Sequence, residues 1–112
     1  MTLDRDRFRA LLQRRRQELK ALSETSAEAR KAVALDQQSV GRLSRQDALQ
    51  QQAMAKAQEA RRVAEGDRIK DALARIEDGE FGFCAECGEA IALKRLEINP
   101  TTELCADCAR AR

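Results

Sequence analysis

The four cysteines of this chain form two C-x-x-C pairs towards its C-terminal end. Cys84 and Cys87 make the first pair and Cys105 and Cys108 the second, with 17 residues between the pairs. Two intervening residues let both sulfurs of a pair reach one side of a tight turn, and this spacing is typical of structural zinc sites with four cysteine ligands. The sequence therefore predicts that these four cysteines hold one zinc ion.

Other uses of paired cysteines explain the pattern less well. Disulfides need an oxidising compartment, and the first residues lack the apolar run of a secretory signal, so we expect a cytoplasmic protein. A dithiol redox site normally has a single C-x-x-C beside a βαβ pattern, which the sequence lacks. Catalytic zinc needs an open coordination position, whereas four cysteines close the sphere and the chain has no histidine. We expect structural zinc and no enzymatic activity.

The residues around the cysteines are too few to hold a fold by themselves. A segment below about 40 residues rarely folds without a disulfide or a bound metal to stabilise it, and zinc would do so here. Gly88 directly follows Cys87 and permits a backbone conformation in which amide groups point back at the sulfurs. The large apolar side chains available as a core are Phe81, Phe83, Ile91, Leu93, Leu96, Ile98 and Leu104.

Two long helices are predicted to precede the cysteines. The segment from Asp4 to Val40 has no Pro or Gly, and a stripe stepping by fours and threes runs through it. The segment from Arg45 to Asp78 carries a similar, thinner stripe. Helices of about 35 residues, each about 50 Å long, joined by a few residues must fold back antiparallel. The stripe positions are 8, 12, 15, 19, 22, 26, 29 and 33 in the first helix, and Ala48, Ala55, Ile69, Leu73 and Ile76 in the second.

The ends of the second helix can be read from capping residues. Gly41 suits the end of the first helix, and Ser44 followed by Asp47 resembles a capping box, which places the tip at residues 41–44. Gly79 and Gly82 end the helix just before Cys84. The sequence thus predicts a mainly α protein: a helical hairpin, an antiparallel coiled coil, over residues 1–79, followed by a four-cysteine zinc finger over residues 80–112.

The cysteine-bearing end does not have the charge of a nucleic-acid binder. Residues 1–79 hold 17 Lys and Arg against 13 Asp and Glu, whereas residues 80–112 hold four against six. Four thiolates on a zinc ion add about two further negative charges. The segment also lacks Tyr and Trp for stacking on bases. We expect no direct sequence-specific binding to DNA, and we expect no membrane association because no long apolar stretch is present.

The segment "GFCAECGEAIALKRLEINPTTELCADC" resembles the C4-type zinc finger of the DksA/TraR family. The shared features are the entry through Gly82 and Phe83 into Cys84, the "CGE" after the first pair, the "RLE" at residues 95–97, Pro100, and the final cysteine pair. The resemblance covers about the last third of the chain. A long helical hairpin preceding the finger agrees with it.

The resemblance implies a transcription regulator that binds bacterial RNA polymerase, inserts the hairpin into the secondary channel and modulates initiation, with the alarmone ppGpp as a candidate ligand at the shared interface. Family members carry D-x-x-D-x-A at the tip, whereas this chain has "GRLSRQDALQ". Asp47, Ala48 and Arg42 are the candidate polymerase contacts there. A function of another class stays open at this point: a zinc-stapled adaptor, or a zinc ribbon, that binds another protein or nucleic acid.

Overall fold

A computed structural model describes residues 3–31 and 42–111, with the side chains of residues 42–44 outside that description. The described residues contain no β-strand, only an isolated antiparallel bridge between Phe83 and Ala90. The fold is mainly α, an antiparallel helical hairpin followed by a small four-cysteine finger, as predicted. Across these two ranges, no helix is both long enough and apolar enough to span a membrane. The helices are α1 (Arg5–Thr25), α2 (Ala27–Arg30), α3 (Arg42–Asp78), α4 (Leu93–Ile98) and α5 (Ala106–Ala111).

Helix α1 begins at a side-chain cap and buries one stripe. The Asp4 carboxylate accepts a hydrogen bond from the Arg7 backbone N–H at 3.0 Å, which satisfies a donor that has no partner within the helix. Phe8, Leu12 and Leu19 are buried, as the spacing predicts. The stripe is no longer buried beyond this point, because Leu22 is 46% exposed.

The prediction of one continuous helix from Asp4 to Val40 is wrong. A turn at Ser26 separates α1 from α2, and α2 ends at Arg30, because Lys31 has an extended backbone with ψ near 152°. Ser26 is half-buried, and its hydroxyl competes for backbone carbonyl groups, which weakens a helix interior. Residues 32–41, which include Val33 of the predicted stripe and Gly41 of the predicted tip, lie outside the described residues.

Helix α3 ends where the sequence predicts and begins earlier. Gly79 has φ of +78° and follows the last helical residue. The N–H of Glu80 donates to the Arg75 carbonyl and that of Gly79 to the Ile76 carbonyl, the two hydrogen bonds of a Schellman motif. The helix begins at Arg42, so Ser44 lies within its first turn and is not the N-cap residue. The predicted capping box is therefore wrong.

The stripe of α3 is largely as expected. Ala55, Ile69 and Ile76 are buried, and Ala48 and Leu73 are half-buried. The unexpected member is Ala72, which is completely buried.

The chain divides into two compact units. One unit comprises Met1–Gln17 with Gly66–Arg112, and the other comprises Glu18–Glu65. The first unit contains nearly all the buried side chains, including Phe8, Phe81 and Leu96. A hairpin domain over residues 1–79 and a separate finger domain over residues 80–112 stay a prediction.

The unit Glu18–Glu65 holds its helices together mainly with polar groups. The Ser23 hydroxyl donates to the Glu59 carboxylate at 2.6 Å, and the guanidinium groups of Arg30 and Arg62 pair with the same carboxylate at 3.4 and 3.0 Å. Arg62 also donates to the Ser26 hydroxyl at 2.8 Å. These contacts are only partly exposed to solvent, so screening weakens them less than it weakens fully exposed pairs.

Candidate metal centre

The sulfurs of the two cysteine pairs converge on one point. All four Sγ atoms of Cys84, Cys87, Cys105 and Cys108 lie within 4.8 Å of one another, and all four cysteines are free of disulfides. The Sγ atoms of Cys87 and Cys105, one from each pair, are 3.7 Å apart. The structure therefore brings together the four residues that the sequence predicts as ligands.

The first pair lies in a tight loop that its backbone closes. The Cys84 N–H donates to the Glu89 carbonyl at 2.8 Å, and the Gly88 N–H donates to the Cys84 carbonyl at 2.9 Å. Gly88 has φ of +76°, a conformation that residues with a Cβ rarely adopt. The backbone of this loop therefore favours glycine at this position. Cys84 is buried and Cys87 is exposed, which places the first pair at the boundary between core and solvent.

The second pair lies at the beginning of α5. The Cys108 N–H donates to the Cys105 sulfur at 3.4 Å, as in a helix N-cap with sulfur as the acceptor. The Ala109 N–H donates to the Cys105 carbonyl at 3.0 Å. The two loops are joined by the Ala85 N–H, which donates to the Glu103 carbonyl at 2.7 Å. The local backbone thus positions both pairs.

The electrostatic surroundings favour at least one thiolate. Backbone N–H groups of Cys87 and Cys105 lower the pKa of the Cys84 thiol to about 6, because they donate towards its sulfur. Side-chain hydrogen bonds to Cys105, Cys84 and Cys87 raise the pKa of Cys108 far above its usual range, because they favour the protonated thiol, and charge repulsion from Cys105 adds to this shift. A cation bound among the sulfurs removes that repulsion.

The donor set fits zinc. Zinc binds thiolates at about 2.3 Å in a tetrahedron, and this places the sulfurs about 3.8 Å apart, close to the distance between Cys87 and Cys105. Four soft sulfur donors with no oxygen or nitrogen ligand select zinc over calcium or magnesium. Four protein ligands also leave no position for a reacting water.

The finger is attached to the helices of its own unit by contacts that the sequence analysis missed. The Arg75 guanidinium, 14% exposed, pairs with Glu103 at 3.3 Å and donates to the Thr102 carbonyl at 3.4 Å. Arg95 donates to the Leu104 carbonyl at 2.9 Å. The sequence contains only a weak signal for these contacts. Arg75 lies four residues before Gly79, in the last turn of a helix that leads into the finger.

The candidate polymerase contacts lie in the first two turns of α3. Asp47 is exposed and Ala48 is half-buried. The Asp47 carboxylate makes no hydrogen bond or ion pair with the parts of the chain that the structure describes. Arg42 is the first residue of the helix, and its side chain is outside the description. The metal centre and these residues belong to different compact units.

A model of the prokaryotic DksA/TraR C4-type zinc finger matches residues 79–112. The RNA polymerase-binding transcription factor DksA of Escherichia coli K12 is 46% identical over 41 residues, and that of Haemophilus influenzae is 44% identical over 41. These matches cover 37% of this chain, but only 27% of the Escherichia coli protein and 28% of the Haemophilus protein.

The likeness also extends over the helices. The structure of the transcription factor DksA2 from Pseudomonas aeruginosa superposes with a TM-score of 0.78 and 30% identity. The superposition covers 96% of this chain and 81% of the Pseudomonas chain. The finger sequence and the architecture of nearly the whole chain therefore agree, and this protein belongs to the DksA/TraR family.

Proposed function

We propose that this protein is a non-enzymatic transcription regulator that binds bacterial RNA polymerase, as the names of its DksA relatives describe for them. The observation that carries the proposal is the superposition on the transcription factor DksA2 over 96% of the chain, helices and finger together. A match restricted to the finger would be equally compatible with a small zinc-stabilised adaptor protein. Agreement of the helical hairpin as well favours the polymerase-binding class.

Zinc has a structural role in this proposal. Cys84, Cys87, Cys105 and Cys108 would hold one ion, and their four thiolates would leave it no open coordination position. When bound, the ion supplies a rigid crosslink between the first loop and the start of α5. The chain's own contribution is to present the sulfurs, through the backbone hydrogen bonds around Cys84 and Cys105, at a spacing close to that of a tetrahedral site.

The hairpin is the element proposed to enter the secondary channel of the polymerase and to alter initiation. Support comes from the exposed position of Asp47 at the beginning of α3, where its carboxylate is not used by the described residues. Ala48 and Arg42 complete the proposed contact set. A carboxylate near a magnesium-bearing active site perturbs the surroundings of the metal, whereas a guanidinium is repelled by the metal and attracted to phosphates. We expect the polymerase to be affected differently from the way members with two tip aspartates affect it.

A role for ppGpp at the interface with the polymerase belongs to the same proposal. A polar cavity of about 190 Å³ in the finger-bearing unit is lined by three arginines, Arg68, Arg75 and Arg95, and by two acidic residues, Asp71 and Glu103. Arginine binds phosphate in a two-pronged geometry, so this cavity has the chemistry of a phosphate contact. Arg75 and Arg95 already hold the finger. Arg68 is therefore the residue proposed to contact the alarmone.

The proposal is tested by binding to the polymerase. The zinc-loaded protein is passed over immobilised bacterial core RNA polymerase, and a 1:1 complex at physiological salt is expected. A gel shift with promoter DNA alone serves as the opposing measurement. Retention by DNA in the absence of polymerase, together with no retention by the polymerase, would assign the chain to the nucleic-acid-binding zinc ribbons instead.

A further inference from the structure

The finger-bearing unit contains an apolar pocket that the metal centre does not use. Its volume is about 520 Å³, within the range of cavities that bind small molecules or peptide side chains. Its floor is formed by the buried side chains of Phe81, Ile91 and Leu96, and Leu3 and Phe83 contribute to its walls. Phe83 is 46% exposed, which is unusual for an aromatic side chain with so many apolar neighbours.

One wall of the pocket is made by Leu3, which precedes α1. The Leu3 side chain lies directly on Gly82, so closely that a Cβ added there would be 2.6 Å from the leucine Cδ2. Gly82 has φ of +93°. The absence of a side chain at Gly82 therefore lets the segment before α1 close one side of the pocket.

The polar group in the lining is a cation, and the described residues offer it no partner. Arg5 lines the pocket, and within residues 3–31 and 42–111 its guanidinium makes no hydrogen bond or ion pair. The two acidic neighbours that could neutralise it are engaged elsewhere. Asp4 accepts the Arg7 backbone N–H at 3.0 Å, and Asp6 pairs with Arg9 at 2.7 Å. An apolar pocket with an unpaired guanidinium is complementary to an apolar group that carries a nearby negative charge.

We infer that this pocket binds a polypeptide segment of a partner protein, with one large apolar side chain in the cavity and a neighbouring carboxylate on Arg5. A second copy of the chain is a poorer occupant. Its most exposed large apolar side chain among the described residues is Ile98, and the adjacent Glu97 already pairs with Arg7 at 3.5 Å.

The test is a titration of the zinc-loaded full chain followed by amide chemical shifts. The probe is the capped tripeptide acetyl-Glu-Phe-Glu-amide. The capped Lys-Phe-Lys tripeptide is the control for charge. The capped Glu-Ala-Glu tripeptide is the control for the apolar side chain. We expect saturable shifts at Gly82, Ile91 and Leu96 with the first peptide and none with the controls. Binding by so small a probe is expected to be weak, with Kd on the order of 1 mM.

Two variants and a matched control identify the site. Ala90→Phe fills the pocket and should abolish the saturable shifts, whereas Ala74→Phe, on an exposed face of α3, should leave them unchanged. Arg5→Glu should reverse the charge preference, so that the Lys-Phe-Lys peptide binds better than the Glu-Phe-Glu peptide. Reversal cannot be explained by a fold defect, because a misfolded pocket loses both peptides.

Other occupants give different results in the same experiment. Concentration-dependent shifts at the pocket residues without any peptide would overturn the inference in favour of a second copy. Saturable shifts with decanoate but not with the Glu-Phe-Glu peptide would overturn it in favour of an acyl anion. No shift with either probe would show that the pocket binds nothing of this class. None of these outcomes depends on polymerase binding, so the proposed function is tested separately.

Discussion

The rings of Phe8 and Phe81 pack against each other with centroids 5.4 Å apart and planes tilted by 48°. Phe8 lies in the second turn of α1 and Phe81 lies between the end of α3 and Cys84, and neither ring is exposed to solvent. The pair therefore joins the beginning of the chain to the entry of the finger in one core. A substitution in either ring is therefore expected to disturb the packing of the other.

Truncation of Phe81 should be costly. We expect Phe81→Ala to lower the free energy of unfolding by about 3–5 kcal/mol, because it removes a fully buried ring and leaves a cavity beside Phe8. Phe83→Ala is the matched control, since that ring is half-exposed, and should cost about 1 kcal/mol or less. Urea unfolding of the zinc-loaded proteins, followed by circular dichroism, measures both. Equal effects of the two substitutions would contradict a shared core.

Zinc content should depend on each cysteine of the cluster. We expect one zinc per chain in protein prepared without chelator and close to none in Cys84→Ser, measured by atomic emission. Most of the helical circular dichroism should remain in this variant, because the hydrogen bonds of α1 and α3 do not involve the cysteines. Ala85→Ser, which adds a hydroxyl within the first loop but keeps four sulfurs, should retain the metal. A ratio near zero for the wild-type protein would disprove the zinc assignment.

Two glycines should respond to alanine in opposite directions. Gly82→Ala should destabilise the protein by about 1–3 kcal/mol, because φ of +93° is strained for alanine and the new Cβ meets Leu3. Gly66→Ala should stabilise it by about 0.5–1 kcal/mol, since Gly66 lies within α3 and nothing lies within 4 Å of a Cβ there. Shifts of the urea midpoint report both signs. Destabilisation by Gly66→Ala would mean that the helix requires flexibility at this residue.

The polar network around Glu59 should make stability depend on pH. The Ser23 hydroxyl lowers the pKa of Glu59, with further contributions from Arg62 and Arg30. A carboxyl whose pKa is lower in the folded state contributes stability above its ordinary value of 4.5, and this is lost as the pH falls through the folded value. Wild type should therefore lose more stability than Glu59→Gln between pH 5 and pH 3. Parallel pH profiles of the urea midpoint would rule out this role for Glu59.

The Asp47 carboxylate should matter for regulation and little for stability. Asp47→Asn should change the free energy of unfolding by no more than about 0.5 kcal/mol, because the described residues offer this exposed carboxylate no partner. Binding to the polymerase should persist, whereas regulation of an alarmone-sensitive promoter in vitro should weaken.

Two further variants make the test of the tip specific. Asp67→Asn, also exposed on α3, is the control and should regulate normally. Arg42→Asp should shift the effect towards that of members with an acidic tip. Normal regulation by Asp47→Asn would remove Asp47 from the contact set.

Local patterns in the sequence predicted the convergence of the four cysteines and part of the helical seam. The spacing of the two C-x-x-C pairs predicted the four sulfurs that converge, because two residues between cysteines already constrain the turn. Gly79 predicted the end of α3, because glycine adopts the positive φ that ends a helix without help from distant residues. The spacing of Phe8, Leu12 and Leu19 predicted the buried face of α1, because helical periodicity is independent of what packs against it.

Tertiary structure decided which residues meet across the chain. The contact between Phe8 and Phe81 spans more than 70 residues, and no local spacing specifies the partner of a buried ring. Complete burial of Ala72 with Leu73 only half-buried follows from how closely the neighbouring elements approach, which periodicity alone leaves undetermined. The turn at Ser26 is accompanied by bonds from Arg62 on α3 and from Arg30, so a long-range contact contributes to a local feature. Sequence predicted most of the helices and the four cysteines that converge, whereas packing between elements determined how the finger is attached to the helices.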